Sequence, residues 1–242
     1  MNPMTAKRDL LETYSTTKLL VGKDTEVIYE GREPKHQREV VVRIAELPSN
    51  PNQVMKNLAA LKEAAHPSLP RVVDFGIEDG CFYLVVEAIK GKDLNAYDSY
   101  LASIVGPQRR IRALAQVFLQ VAWALDALHE NGLTAGRIAA EMIVVNEAGR
   151  GRFMVSDVLN EPSGAREFAP VSTDIRELGR LMYKMLCGVE YDPENSLPTE
   201  MQSTLTPPFD SVLLKAVSED PSNSFMTARE LAMELSHAVA SL

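Results

Sequence analysis

Residues 64–94 read AAHPSLPRVVDFGIEDGCFYLVVEAIKGKDL, and the pattern of this stretch decides the fold. Two apolar runs, 71–75 and 82–88, have the β-branched and aromatic character of buried strands, and Asp79-Gly80 between them is a tight-turn pair. Upstream, residues 53–65 place Val54, Leu58 and Leu61 at helical spacing, and His66-Pro67 stops that helix. Further upstream, 26–31 and 39–45 (EVVVRIA) are two more β-branched runs. The first third of the chain therefore reads as strands interrupted by one helix.

After Gly91 the period becomes helical. Residues 108–130 put Ile111, Leu114, Ala115, Phe118, Val121, Ala122, Leu125 and Leu128 on one face, a stripe wide enough for a buried helix, and Asn131-Gly132 ends it. Two short strand-like runs follow at 142–145 and 152–155, then helices over 173–187, 209–218 and 227–240. The last opens on Thr227-Ala228-Arg229-Glu230, a capping-box pattern. IKGKDL, residues 89–94, is the natural junction between the two halves.

Composition sets limits on function. A chain of 242 residues, 45% hydrophobic and 24% charged, can bury a full core as one large domain or two lobes. Its net charge of −8 argues against broad attraction to nucleic acid or anionic membranes, although local basic patches are compatible with it. Cys81 and Cys187 are too few and too far apart for a disulfide scaffold or a paired zinc site. There is no secretory pattern and no uninterrupted apolar run of membrane-spanning length, so a reducing cytoplasm is the expected location.

The order of these pieces resembles the bilobal protein kinase fold, especially the bacterial Ser/Thr kinases of eukaryotic type, from about residue 14 to the C-terminus. Residues 64–94 look like that family's His-Pro turn, fourth and fifth strands and hinge. ALDALHENGL (124–133) looks like the end of its long central helix. STDIRELGRLMYKMLCG (172–188) looks like its sixth major helix, with Asp174 in the place of that helix's structural aspartate, and LLKAVSEDPSNSF (213–225) resembles its late Asp-Pro segment. The resemblance implies an α+β, bilobal kinase-like fold. It has a small β-rich lobe with one main helix over 10–88, a hinge segment over 89–94, and a larger helical lobe over 95–242, with Glu87, Ala88 and Ile89 as the hinge residues of the site.

Kinase chemistry requires a glycine loop over the phosphates, a lysine paired to a helix glutamate, a base aspartate, and Asp and Asn ligands for magnesium. Residue by residue, these positions are changed. The glycine-loop positions fall on Val21, Lys23 and Glu26, and Gly22 is out of register. Arg43 stands at the catalytic lysine and Asn57 at the helix glutamate. In GLTAGRIAAEMIVV (132–145) the His-Arg-Asp triplet becomes Ala135-Gly136-Arg137, the following lysine becomes Ala139, and Met142 replaces the magnesium asparagine. A guanidinium cannot accept a proton, and a thioether is a poor ligand for a hard cation.

In MVSDVL (154–159) Asp157 keeps the magnesium aspartate, with Val158 and Leu159 after it. Ala169 and Pro170 look like a remnant of Ala-Pro-Glu, with Val171 for the glutamate and Ser224 for its arginine partner. Asp74-Phe75-Gly76 imitates the magnesium triplet but lies before the hinge, where it reads as a packing and turn feature.

The expectation is a catalytically inactive, degenerate kinase domain with no catalytic residue, no metal and no cofactor. It would act as a protein-interaction, scaffolding or allosteric module for another protein, an active kinase, signalling or structural partner among them, without nucleic acid and without membrane insertion in this segment. The alternative is an atypical ATP-binding kinase, or a non-catalytic nucleotide or ligand sensor, using a rearranged cleft. Arg43 and Arg137 are expected in salt bridges with residues such as Asp157 or Glu141, His66 in a turn, His129 in a structural role, Leu181, Met182 and Met185 in the core, and Cys187 as an inert buried thiol.

Overall fold

The computed structural model describes residues 8–22, 26–47, 50–154, 171–194 and 197–242. The small lobe is a five-stranded antiparallel sheet in the order β1-β2-β3-β5-β4. The strands are β1 (Lys18–Gly22), β2 (Glu26–Glu33), β3 (Arg38–Glu46), β4 (Val72–Glu78) and β5 (Cys81–Glu87). Asp79 and Gly80 both take positive φ, 48° and 71°, as a two-residue hairpin turn requires.

Alternation along β3 sends its side chains to two different cores. Val40, Val42 and Ile44 are buried on one face with Val27 and Val85, whereas Val41 and Ala45 pack toward the other. That other face carries α2 (Pro51–Glu63), whose Val54, Leu58 and Leu61 are buried; Pro51 at its first turn and the Asn50 side chain, which accepts from the Gln53 N–H at 3.2 Å, set its start. Sequence periodicity placed this helix two residues too late, since the proline and the cap lie outside the apolar repeat. Downstream, His66 forms the expected turn: its Nδ1 accepts from the Ser68 N–H at 3.2 Å.

The first face is covered by an element that sequence reading did not find, α1 (Arg8–Thr13). It brings Leu10 and Tyr14 onto the valines of β3. Tyr14 O accepts from the Arg32 N–H at 2.7 Å, and a Cβ on Gly31 would lie 2.6 Å from that same oxygen, so this docking requires glycine. The Tyr14 hydroxyl donates to Asp74 Oδ2 at 2.9 Å, Tyr83 donates to the same oxygen at 3.3 Å, and the Phe75 N–H donates to Oδ1 at 2.9 Å. A Cβ on Gly76 would lie 2.8–2.9 Å from the Tyr83 ring. The Asp-Phe-Gly triplet thus ties the N-terminal segment to the β4–β5 hairpin: the acid holds two phenols, and the glycine leaves room for one of them.

The chain crosses between lobes after β5, and Gly91 makes that crossing close: a Cβ there would lie 2.3 Å from Val145 O. In the large lobe a small sheet in the order β6-β7-β8 pairs β6 (Lys92–Asp93), β7 (Ile143–Val145) and β8 (Gly151–Phe153). Helices α3 (Leu94–Ile104), α4 (Pro107–Glu130), α5 (Val171–Cys187), α6 (Pro198–Met201), α7 (Pro207–Val217) and α8 (Ala228–Ala240) build the rest. The whole predicted stripe of α4 is buried, and Gly132, at φ 71°, ends the helix.

Two contacts fix the helix pairs. Asp126, buried on α4, accepts from Arg229 of α8 through Nε at 3.0 Å and Nη2 at 2.9 Å. Gly179 of α5 lies against Ala216 of α7, where a Cβ would come within 2.8 Å of backbone. Thr227 caps α8 by accepting from the Glu230 N–H at 3.1 Å, while Glu230 reaches the Met226 N–H at 2.9 Å, one residue beyond the pattern read from sequence. Cys187 is buried, and desolvation pushes its thiol up to about 11, which keeps it protonated at neutral pH.

Burial, and then the hydrogen bond to Asp74, raise the Tyr14 phenol well above its ordinary value; burial raises Tyr83 as well. A phenol whose folded pKa is raised stabilises the fold fully below the unfolded pKa of about 10, and that stabilisation is lost as pH rises beyond it. Urea unfolding should therefore show stability falling above about pH 10, and Tyr14→Phe should flatten the fall. Asp74→Ala, which leaves the buried phenol unpaired, should cost about 1–3 kcal/mol at neutral pH.

Candidate functional site

The candidate site is the cleft below β1–β3, floored by the loop between α4 and β7. That loop is held from beneath by Asp174, which is wholly buried on α5. Its Oδ2 accepts from the Ala135 N–H at 2.7 Å and its Oδ1 from the Gly136 N–H at 3.0 Å. His129, in the last turn of α4, lies with Nε2 2.8 Å from Oδ2, so the imidazole donates to the carboxylate and its role is structural, as expected. Gly136 takes φ 73°, a conformation that favours glycine. Three groups from two segments therefore converge on one carboxylate, and they fix the register of the loop.

With that register fixed, the next residue is Arg137. Its side chain is largely exposed, and Nη2 donates to Glu141 Oε1 at 2.7 Å, one of the pairings anticipated from sequence. Met142 ends a single 3-10 turn (Ala140–Met142) and is buried in the large-lobe core, with its backbone N–H on Ala139 O at 3.0 Å. The guanidinium of Arg137 bears a permanent positive charge and accepts no proton, and the Met142 side chain offers only a soft sulfur. The described donor set does not fit a magnesium–nucleotide.

On the roof of the cleft, Arg43 does not reach α2. Its Nε donates to Glu26 at the start of β2. The strand register pairs Ile28 with Arg43 and Glu26 with Ala45, so Glu26 is the diagonal same-face neighbour of Arg43. The sequence reading places Glu26 only at a glycine-loop position. The missed signal was this two-residue diagonal offset, visible once β2 and β3 are paired. Asn57 on α2 instead accepts from Gln53 Nε2 at 2.9 Å, and its neighbour Leu58 is in the core.

At the hinge, the Glu87 N–H donates to Arg71 O at 3.0 Å and the Ala88 N–H to Glu39 O at 2.9 Å, while the Glu87 carboxylate faces Arg152 at 3.5 Å. Ile89 continues the crossing and is half-buried. Ser224 lies beside the turn at Pro221–Asn223, its hydroxyl 3.5 Å from Pro221 O, and Val171 opens α5. Asp157, Val158, Leu159, Ala169 and Pro170 lie outside the described residues, as does Lys23.

A strand-rich small lobe, a short crossing and a helical lobe whose buried aspartate anchors the cleft loop form the bilobal α+β architecture of a protein kinase domain. The chain belongs to the protein tyrosine and serine/threonine kinase family, which residues 16–158, more than half of it, match. Among bacterial relatives, a probable serine/threonine-protein kinase of Clostridium perfringens, CPE1738, is 24% identical over 86% of this chain and 36% of its own length. The serine/threonine-protein kinase PrkC of Bacillus subtilis is 21% identical over 93% of this chain and 40% of its own. The chain thus spans about two-fifths of the length of these relatives. Among solved structures, the Mycobacterium tuberculosis PknI kinase domain superposes with a TM-score of 0.68 at 17% identity, covering 93% of this chain and 96% of that one. The autoinhibited serine kinase domain of the giant muscle protein titin gives 0.76 at 15% identity, covering 97% and 84%.

Asp174→Ala should leave two backbone N–H groups and an imidazole without their acceptor, at a cost on the order of 3–5 kcal/mol in chemical denaturation. Asp174→Asn, which keeps one carbonyl acceptor, should lose distinctly less.

Proposed function

We propose that this domain is a pseudokinase: a kinase fold that does not transfer phosphate and that acts as a protein-binding or allosteric module. The observation that carries this reading is the anchored catalytic loop. Asp174 fixes the backbone at Ala135 and Gly136, and the next side chain, where a kinase carries its general base, is an arginine engaged with Glu141. Loss of a general base alone costs about 100- to 10,000-fold in rate. Here the arginine at the lysine position is tied to Glu26, no acid stands at residue 57, and a buried methionine takes the asparagine position. Groups that act as a unit do not lose their effects independently, so what remains has little to position.

The relatives named above are described as kinases, and that activity is theirs. In this chain the retained features are architectural: the sheet, the anchored loop and the helix packing. Such a domain works through its surfaces, with another protein as partner.

Thermal unfolding with and without ATP and magnesium tests this directly. A nucleotide present at about 100 times its Kd would add about 2.7 kcal/mol to stability. The expected result is an unchanged midpoint and no transfer of labelled phosphate to protein substrates. A metal-dependent rise accompanied by transfer would overturn the proposal.

A further inference from the structure

At the hinge, both lobes contribute to an open groove of about 1150 Å³ whose lining includes none of Arg43, Asn57, Arg137 and Met142. Its lining is dominated by cations: Arg32 and Arg38 from the β2–β3 hairpin, Lys90 and Lys92 from the crossing, and Arg150 and Arg152 from the β7–β8 hairpin. Against these six stand three carboxylates, Glu39, Glu87 and Glu147. In a chain of net charge −8 this is a local reversal of sign.

The cations divide into two sets. Lys90 pairs with Glu39 at 2.6 Å, Arg152 with Glu87 at 3.5 Å and Arg38 with Glu33 at 3.7 Å. Arg32, Lys92 and Arg150 are exposed and have no carboxylate partner among the described residues. Lys92 instead lies over the Tyr100 ring at 5.3 Å, and Tyr97 and Tyr100 add aromatic surface to the groove. Like charges converging from three elements repel one another, and a bound anion relieves that repulsion. Arginine in particular suits carboxylates, which it can bind through two parallel hydrogen bonds.

We infer that this groove is a docking site for an acidic, extended peptide segment of a partner protein. The volume exceeds the usual range of about 300–1000 Å³ for small-molecule pockets, and the groove is open, as suits a length of chain. The intruding glutamates favour a ligand whose charges are spaced, as in a peptide, over the uniform charge of a phosphodiester backbone. Tyrosines beside the arginines can take the apolar side chains between the acids. The inference deepens the reading of the domain as a protein-binding module and rests on it. Because the segment would touch Arg32 of the small lobe and Lys92 and Arg150 of the large lobe, docking would also clamp the two lobes across the crossing.

The test is fluorescence anisotropy of the intact domain with a labelled peptide in which glutamates are interspersed with leucines, the matching peptide with glutamine for glutamate, and oligothymidylate. Saturable, salt-sensitive binding of the glutamate peptide is expected, weakened about tenfold or more by Arg150→Glu and separately by Lys92→Glu, with thermal midpoints unchanged. Both residues are exposed, so either reversal should fold, and Arg150→Lys should keep most of the affinity. Binding that survives both reversals, equal binding of the glutamine peptide, or no saturable binding would overturn the site. Tighter binding of oligothymidylate would overturn it in favour of a nucleic acid. Phosphate transfer by the wild-type domain would sink the pseudokinase reading and leave the anisotropy result intact, so the two failures are distinguishable.

Discussion

One buried carboxylate, that of Asp174, organises the large lobe. A wholly buried acid is stable only when its oxygens are matched by donors. Asp174 finds two in the loop backbone and one in His129, which joins α5, α4 and the cleft floor in a single polar junction. Packing around it is otherwise apolar, with the stripe of α4 and the Gly179–Ala216 crossing closing the core. Chemistry in the loop can change while this junction holds, because the junction uses main-chain atoms at Ala135 and Gly136 and is indifferent to what residue 137 carries.

The small lobe shows the same division between scaffold and chemistry. Asp74 resembles a catalytic acid in sequence and works as a clasp, accepting from Tyr14, Tyr83 and its own neighbour's N–H. Arg43, which the sequence resemblance aligns with a lysine that pairs to a helix, finds its partner across the strands at Glu26. In both cases the residue type alone misleads and the geometry decides.

Much of this was legible beforehand. β-Branched runs located the strands β2 to β5, each of which sends apolar side chains into a core, and helical periodicity located α2, α4, α5, α7 and α8, each of which buries an apolar stripe. These signals failed for α1, β1, α3 and α6. β1 is an edge strand with mostly exposed side chains, α6 is only one turn, and α1 is six residues whose burial depends on a sheet distant in sequence. In the site, Arg137 with Glu141 and His129 with a structural role could be read from spacing and position. The Arg43–Glu26 pair could not, because it needs the β2–β3 register, and the Asp74 clasp could not, because its donors come from residues 60 positions and 9 positions away. The basic groove was invisible in the net charge, since its six cations are scattered over three elements.

The ion pairs in the cleft couple its positions to one another. An aspartate at position 137 would face Glu141, exchanging an ion pair for a like-charge contact. A lysine at 43 would still sit beside Glu26, with Asn57 on α2 bound to Gln53. Each arginine is thus held by a carboxylate that an exchange at one position leaves behind, so the two ends of each pair are coupled.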